Sequence, residues 1–288
     1  MAAERMTTEQ LTRFQRDGFI NAGRILPEET VQELSAELDR VIAIGPDGFK
    51  DQAKAPVSFT AMGKGDRPVW QIVDIWMASP AFERLLHHPF ISTAIGAMTG
   101  SRDLQIWHDQ VQYKPARTGG TTAWHQDAPY WPSIEPMTEV SAWIPFDDAE
   151  IVNGCMWMVP GSHRWGNQID YLHRQRDQHA QGKAFTELDP FPVPPEADAA
   201  LGTITPVPVA CPVRKGEIHF HHALTWHGSP HNHSDKPRRA VAIHFMTSQA
   251  VYTGRNHLMA KYIRIPPGES MAKAGPEFPF VLKNGEPV

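Results

Sequence analysis

Apolar residues recur at helical spacing through the first hundred positions of the chain. The stretch that begins at Thr7 places Leu11, Phe14 and Phe19 between polar residues, and it predicts a helix over about residues 7–17. A second helix is predicted from Pro27, taken as its first residue, to a stop at Gly45, with a four-residue apolar stripe between them: Val31, Leu34, Leu38 and Val41. The segment "SPAFERLLHHPFISTAIGAMTG" predicts one or two further helices, interrupted at Pro89.

The periodicity changes from helical spacing to alternation after Gly100. In "DLQIWHDQVQYKP", alternation puts one polar set on one face (His108, Gln110 and Gln112) and one mainly apolar set on the other (Trp107, Val111 and Tyr113). Further strands are predicted in "TEVSAWIPFDD", "GCMWMVPGSH", "GEIHFHHALTWHGSP" and "RRAVAIHFMTS". Short strands separated by turn signals are typical of a β-sandwich or barrel.

The domain organisation expected from these patterns is a single domain over residues 1–288. Residues 1–100 supply helical support and early strands, 101–250 the strand-rich core, and 251–288 a C-terminal extension. Within the core, residues 165–212 are polar and then proline-rich, which favours either a lid over a site or a plain surface insertion.

Composition excludes several classes of protein. The 27 Lys and Arg against 32 Asp and Glu give a net charge of −5, which argues against a general nucleic-acid binder. No apolar run approaches the roughly 18 residues of a membrane span, and the N-terminus lacks the apolar region of a signal peptide. The two cysteines, Cys155 and Cys211, are expected to be inert small hydrophobes in a reducing cytoplasm. The sequence predicts no particular oligomeric state.

Candidate chemistry begins in "TTAWHQDAPYW". His125 and Asp127 are two apart, so on a strand both side chains would reach one metal ion, although a polar turn is the alternative. The segment "HFHHALTWHGSPHNH" offers six histidines as a third ligand, and His227 is favoured because it ends a strand. Two imidazoles and one carboxylate are the donor set of non-haem Fe(II) oxygenases. Eleven residues later, Arg238 could anchor a dicarboxylate through its planar fork, with Arg239 on the opposite face.

Together, "WHQD", "NGCMWMVPGSHRWG" and "HGSPHNHSDKPRRAVAIHF" resemble the phytanoyl-CoA dioxygenase family of Fe(II)/2-oxoglutarate oxygenases, from about Thr7 to past residue 250. The resemblance implies a double-stranded β-helix, or jelly roll, with flanking helices. It also implies Fe(II), 2-oxoglutarate and O2 as cofactor and co-substrates, and hydroxylation of a small molecule with release of succinate and CO2. By the same resemblance His125, Asp127 and His227 bind iron, while Arg238 and Ser229 bind the 2-oxoglutarate carboxylate.

The metal-site segment is most similar to that of the ectoine hydroxylases within this family. That similarity implies that Gln112 contacts 2-oxoglutarate, although those relatives carry a shorter Asn there. It adds Thr122 as a further co-substrate contact and Trp143 as a wall of the pocket. The carboxylate of Asp127 favours hydroxylation over halogenation, because the related halogenases have a small residue at this position. Desaturation and ring formation remain alternatives within the same chemistry.

Several other residues are compatible with either a site role or a structural role. Tyr130 and Trp131 would either wall the substrate cavity or fill an aromatic core, while His163 and Arg164 would either contact substrate or belong to an ordinary turn. Lys114 is expected to be an exposed lysine at the end of its strand. Two other functions are alternatives: a non-catalytic jelly roll, which should lack a ligand or the anchoring arginine, and a zinc hydrolase, which would not need Arg238 or Ser229.

Overall fold

The computed structural model describes residues 5–50, 52, 54–62, 69–180 and 207–288. Its α-helices are α1 (Thr8–Asp17), α2 (Glu28–Gly48), α3 (Pro80–Leu86), α4 (Pro89–Thr99) and α5 (Ile169–Ala180). Its first strands are β1 (Phe19–Arg24), β2 (Ser58–Met62), β3 (Val69–Val73), β4 (Leu104–Lys114), β5 (Thr122–His125), β6 (Ile134–Glu135), β7 (Val140–Pro145) and β8 (Met156–Met158). The later strands are β9 (Val209–Cys211), β10 (Glu217–His222), β11 (His227–Ser229), β12 (Arg238–Thr247), β13 (Val251–Tyr252), β14 (Phe280–Lys283) and β15 (Glu286–Pro287).

The predicted helix boundaries have identifiable local causes. Thr7 caps α1 by accepting a hydrogen bond from the Gln10 backbone, and the Gln10 side chain accepts one from the Thr7 backbone in return. In α2, Pro27 is the capping residue rather than the first helical one, and Gly45 breaks the helix at φ 68°. Pro89 begins α4, as the interruption predicted.

Two antiparallel sheets form the body of the described protein. The nine-stranded sheet has the order β1-β10-β7-β12-β4-β14-β15, with β3 also paired to β4 and β2 to β3. A four-stranded sheet, β5-β11-β8-β9, lies against one face of it, and β13 pairs with β6 in a two-stranded ribbon. This arrangement confirms the strand-rich jelly-roll prediction. The C-terminal segment, residues 251–288, adds β14 and β15 to the large sheet.

The large sheet is apolar on one face and polar on the other. Its helix-side face contributes Ile218 and Phe220 from β10 and Val241, Ile243 and Phe245 from β12 to the main core, where α1 to α4 pack. The alternate positions of the same strands point towards the small sheet. Together with β4, they carry a polar set of side chains: His219, His221, His108, Gln110, Gln112, Arg238 and His244.

Two strand predictions need correction. Trp107 was expected to share a face with Val111, but a bulge in the β4–β12 ladder leaves it without a cross-strand partner. Its ring stacks on Phe278 at 5.6 Å, in a second cluster away from the main core. The segment "GEIHFHHALTWHGSP" was expected to be one strand, yet it turns after His222 and continues as β11 in the other sheet.

Most of the expected lid lies outside the described residues. Of residues 165–212, the structure describes a short turn, α5 and β9, while residues 181–206 fall outside it. In the part of the chain that is described, no helix is long and apolar enough to cross a membrane.

A buried pair of carboxyl groups pins the segment after β3 to β4. The Asp109 carboxylate accepts backbone hydrogen bonds from Ile75 (3.0 Å) and Trp76 (3.2 Å), and Asp74 Oδ1 accepts one from the Asp109 backbone at 3.1 Å. Burial raises the pKa of Asp109 to about 7, and burial together with Asp109 raises that of Asp74. Because both folded-state pKa values are raised, this pair stabilises the fold at low pH, and its contribution declines as pH rises towards 7.

We therefore expect Asp74→Asn to raise the free energy of unfolding by about 1–2 kcal/mol near pH 8, and by less near pH 5. Asparagine keeps the accepting oxygen and tolerates the positive φ of 55° at this position. Urea unfolding at the two pH values measures the difference. The exposed Asp235→Asn serves as the control. An equal gain at both pH values would show that the buried charge is not the cause.

Candidate metal centre

Three potential metal ligands meet between the two sheets, and they are the three that the sequence predicted. His125 ends β5, His227 begins β11, and the ligand atoms of both lie within 4.8 Å of one another and of Asp127. Each imidazole Nε2 is 3.5 Å from Asp127 Oδ1. Two ligands at right angles, each about 2.1 Å from a metal ion, lie roughly 3 Å apart, so the donor set needs only a small inward movement to bind one ion.

Asp127 reaches the two histidines from a turn and not, as its spacing suggested, from the same strand as His125. The strand β5 ends at His125, and Asp127 has helical backbone angles (φ −74°, ψ −52°) before a short 3₁₀ turn. Its backbone N–H donates to the Ala223 carbonyl at 2.8 Å. The prediction of the ligand pair stands, but the local geometry that delivers it differs.

Backbone carbonyls fix the orientation of both imidazoles. His125 Nδ1 lies 2.9 Å from the Ala123 carbonyl oxygen, and His227 Nδ1 lies 2.9 Å from that of Thr225. A carbonyl only accepts, so each Nδ1 carries the proton and each Nε2 keeps its lone pair. This is the tautomer that a metal ion requires of a histidine bound through Nε2.

The second oxygen of Asp127 is held by the large sheet. Oδ2 accepts hydrogen bonds from Ser141 Oγ at 3.0 Å and from His221 Nε2 at 3.1 Å, which leaves Oδ1 facing the two ligand imidazoles. Burial acts to raise the pKa of Asp127, but the surrounding histidines, among them His221 through its hydrogen bond to Oδ2, hold it well below its ordinary value. Sequence reasoning missed Ser141, whose signal is a lone hydroxyl in the otherwise apolar strand "VSAWIP".

A cavity of about 640 Å³ opens beside these ligands. We call it the large cavity. Its lining includes Gln71, Val73, His108, Gln110, Gln112, Lys114, Thr122, His125, Asp127, Tyr130, Trp131, Arg176, Arg238, His244, His257 and Leu258. A smaller inner recess adjoins it, and its lining includes Gln112, Thr122, Trp143, His227, Ser229 and His244. The structure therefore brings every predicted metal and co-substrate residue to one place.

Arg238 provides a fixed buried cation in this cavity. Its side chain is 2% exposed, and its guanidinium carbon lies 5.3 Å from the centre of the Trp143 ring. Burial lowers its pKa to about 10, so it stays charged at neutral pH. Nε and Nη1 are buried without a hydrogen-bond partner among the described residues. Leaving a buried charge unpaired costs several kcal/mol, so this site fits an anionic ligand.

The other expected co-substrate residues surround the inner recess. Ser229 on β11 is paired in register with Thr122 on β5. Trp143 donates a hydrogen bond from Nε1 to Gln112 Oε1 at 3.2 Å, which fixes the orientation of that amide. Gln112 thus presents its NH₂ group, a donor, to any ligand that enters.

Lys114 corrects the expectation of an exposed lysine. It is 4% exposed, and its ammonium group donates to the carbonyl oxygens of Gly120, Ser229 (3.3 Å) and Pro230 (2.8 Å). Burial and the neighbouring charge of Arg238 lower its pKa to about 6, while the three carbonyl acceptors favour the protonated form. Local sequence patterns cannot show this role, because the acceptors come from the segment before β5 and from the end of β11.

Tyr130 and Trp131 were each expected either to wall the substrate cavity or to fill an aromatic core. Tyr130 is a cavity residue, whereas Trp131 also belongs to a core cluster. Tyr130 is 45% exposed at the cavity, and its hydroxyl is 2.7 Å from His173 Nε2 on α5. Trp131 is buried in the second apolar cluster, and its ring centre lies 4.6 Å from that of His244. Both line the large cavity, so wall and core are compatible roles for Trp131.

His163 and Arg164 lie elsewhere, at the junction of α1 and β1. Arg164 Nη1 donates to the Arg16 carbonyl at 2.6 Å, at the end of α1. A Cβ atom at Gly18 would lie 2.4 Å from His163 Nδ1, so the glycine that ends α1 is required by close packing as well as by its φ of 83°. Neither residue is part of the described cavity lining. Their expected contact with substrate therefore has no geometric support.

Comparisons with known proteins agree with this geometry. The sequence model of the phytanoyl-CoA dioxygenase (PhyH) family matches residues 14–240. A phytanoyl-CoA dioxygenase domain-containing protein 1 from Mus musculus is 30% identical over 168 residues, which cover 58% of this chain and 53% of the mouse protein. The match thus spans about half the length of that relative. An ectoine dioxygenase from Bordetella bronchiseptica is 27% identical over 244 residues, covering 83% of this chain and 75% of its own.

Among solved structures, a similar one is SnoK, a non-haem α-ketoglutarate-dependent carbocyclase from nogalamycin biosynthesis. It superposes with a TM-score of 0.70 at 25% sequence identity and covers 96% of each chain. The likeness extends beyond the sheets to nearly the whole chain.

Proposed function

The chain belongs to the phytanoyl-CoA dioxygenase (PhyH) family, and from that membership we propose that it is an Fe(II)- and 2-oxoglutarate-dependent dioxygenase that hydroxylates a small molecule. The observation that carries the proposal is the coexistence, in one cavity, of a His/Asp/His donor set and a buried, unpaired guanidinium. The first fits a divalent metal ion, and the second fits the far carboxylate of a dicarboxylic co-substrate.

Residues of this chain would hold the iron and the co-substrate in different ways. Nε2 of His125, Nε2 of His227 and Oδ1 of Asp127 would bind Fe(II), which leaves its remaining positions open. Arg238 would pair with the carboxylate of 2-oxoglutarate that is remote from the metal, with the hydroxyl of Ser229 as a further donor. When bound, Fe(II) supplies the site at which O2 is reduced at the expense of 2-oxoglutarate, which leaves as succinate and CO2.

Other residues would orient the co-substrate and limit water. Thr122 and the NH₂ group of Gln112 face the inner recess and would donate to 2-oxoglutarate oxygens. Trp143 and Arg238 would close the recess with an aromatic face and a cation, an arrangement that excludes bulk water from the reacting groups. Tyr130 and Trp131 would bound the substrate on the opposite side of the metal ligands.

The reaction outcome proposed is hydroxylation, because Asp127 keeps the carboxylate ligand that halogenation would displace. Ring formation and desaturation stay alternatives, since the similar SnoK is described as a carbocyclase. A cavity of about 640 Å³ matches the size of sites for small organic ligands, roughly 300–1,000 Å³. We also propose a cytoplasmic location, because Cys155 and Cys211 are free and buried.

The proposal is tested by loading the purified protein anaerobically with Fe(II) and 2-oxoglutarate, and by following their binding calorimetrically. We expect binding of 2-oxoglutarate to require the metal ion. Admission of O2 together with a library of small molecules should then release succinate above the substrate-free rate for the true substrates. Binding of 2-oxoglutarate at equal affinity without metal would contradict the assignment, as would the absence of any succinate release.

A further inference from the structure

A chain of hydrogen bonds leads from the metal centre to the wall of the large cavity. Asp127 Oδ2 accepts from Ser141 Oγ at 3.0 Å, and Ser141 Oγ is 2.8 Å from His244 Nδ1. An ionised carboxylate only accepts hydrogen bonds, so the single hydroxyl proton of Ser141 is directed at Asp127. Ser141 Oγ must then accept from His244, and the proton of that imidazole is fixed on Nδ1.

This chain leaves His244 Nε2 as an acceptor. The side chain is 2% exposed, and Nε2 has no hydrogen-bond partner among the described residues. His244 lines both the large cavity and the inner recess. Burial lowers its pKa to about 4, so the ring is neutral near pH 7. A buried acceptor left unpaired costs about 1–3 kcal/mol, which a bound donor would offset.

A neighbouring imidazole repeats the pattern. His108 is paired in register with His244 across β4 and β12, and the two ring centres are 4.8 Å apart. His108 Nδ1 lies 3.3 Å from the Asp109 carbonyl oxygen, which places the proton on Nδ1 and leaves Nε2 as an acceptor. This part of the cavity wall therefore offers acceptors rather than hydrocarbon.

The charged side chains that line the large cavity limit the kinds of ligand that it can bind. Asp127 is the single carboxylate in the described lining, and it is committed to the metal centre. Arg176 and Arg238 are cationic side chains of that lining, and the Lys114 amine lies beside them. Such a wall disfavours a cationic amine, because the described lining offers no carboxylate besides Asp127 to pair with it.

We propose that His244 determines substrate specificity by accepting, at Nε2, a hydrogen bond from a hydroxyl or uncharged N–H group of the substrate. The substrate class is then a neutral or anionic molecule that carries such a donor near the carbon to be oxidised, and not an unfunctionalised hydrocarbon chain. This inference rests on the proposed function, because it takes the large cavity as the substrate site.

The tautomer of His244 tests the inference without any turnover. Long-range ¹H–¹⁵N correlation spectra of Zn(II)-substituted, ¹⁵N-histidine-labelled protein distinguish the two ring nitrogens, and His244→Phe assigns the signal. We expect the Nδ1–H tautomer at pH 7, and a mixture of tautomers in Ser141→Ala. An Nε2–H tautomer or an imidazolium in the wild-type protein would overturn the proposal, whether or not the protein turns over 2-oxoglutarate.

Binding is tested in the same spectra by titrating two matched probes, ethylene glycol and its dimethyl ether. The glycol, a donor, should move the His244 Nε2 resonance, while the ether should not, and the exposed His233 should respond equally to both. Equal responses of His244 to the two probes, or no response, would overturn the proposal.

The succinate-release screen provides a third test of the proposed substrate class. Every substrate found should carry a donor, and its methylation should lower kcat/KM by about tenfold. A substrate with no donor that is turned over as well would also overturn the proposal.

Discussion

Asp127→Ala is expected to eliminate metal-dependent 2-oxoglutarate binding and to lower succinate release by about three orders of magnitude or more, since a metal ion contributes several kcal/mol to such catalysis. The side chain supplies the one anionic ligand between two neutral imidazoles. Its removal also leaves the donors of Ser141 and His221 without their acceptor, because both donate to Oδ2. Calorimetric titration with Fe(II) under anaerobic conditions measures the loss of binding, and succinate quantification measures the loss of turnover.

His231→Ala is the matched control for this experiment. His231 follows His227 by four residues; its Nε2 lies 3.3 Å from the Arg117 carbonyl oxygen, and its ring centre lies 5.2 Å from that of His233. We expect its replacement to leave metal binding and succinate release unchanged. Retained turnover in folded Asp127→Ala protein, judged by its circular dichroism spectrum, would remove the iron assignment.

Arg238→Gln is expected to raise the KM for 2-oxoglutarate by about 100-fold, equivalent to about 2.7 kcal/mol, with a smaller effect on kcat. Glutamine retains hydrogen-bonding groups but not the charge or the planar fork that matches a carboxylate. Because Nε and Nη1 of the guanidinium have no hydrogen-bond partner within the described protein, its loss should act through the co-substrate more than through the fold. Initial rates of succinate formation over a range of 2-oxoglutarate concentrations give both constants.

Arg239, the adjacent residue, provides a control for the loss of a positive charge at a different position. Arg239 points to the opposite face, where it pairs with Asp147 at 2.9 Å and Asp39 at 3.1 Å. Arg239→Gln should lower the melting temperature and leave the KM for 2-oxoglutarate unchanged. Similar KM values for Arg238→Gln and the wild type would show that another group anchors the carboxylate.

Sequence alone predicted the parts of this molecule that depend on local pattern. The capped helix after Thr7, the break at Gly45 and the alternating faces of β12 all follow from spacing and from the conformational limits of single residues. The ligand set and Arg238 came from the order of motifs along the chain. The helix and strand features are each encoded within about a dozen neighbouring residues, whereas the ligand set combines two motifs that are far apart in the chain.

The features that sequence missed all depend on distant segments. Trp107 leaves its expected face because β4 bulges against β12, which simple alternation cannot show. Lys114 is buried because three carbonyls from two other loops converge on it. Ser141 gains its role only when β7 lies beneath the Asp127 turn. For His163 and Arg164 the sequence left substrate contact and an ordinary turn open, and their contacts with the end of α1 favour the turn.

The metal centre also joins the two sheets. His125 and His227 belong to the four-stranded sheet, whereas the groups that hold Asp127 Oδ2 belong to the nine-stranded one. A bound ion is therefore a cross-link between layers, and folding and metal occupancy are thermodynamically linked. An ion present at 100 times its dissociation constant would add about 2.7 kcal/mol to the free energy of unfolding. Melting temperatures of variants thus become comparable only when the free metal concentration is buffered at one value.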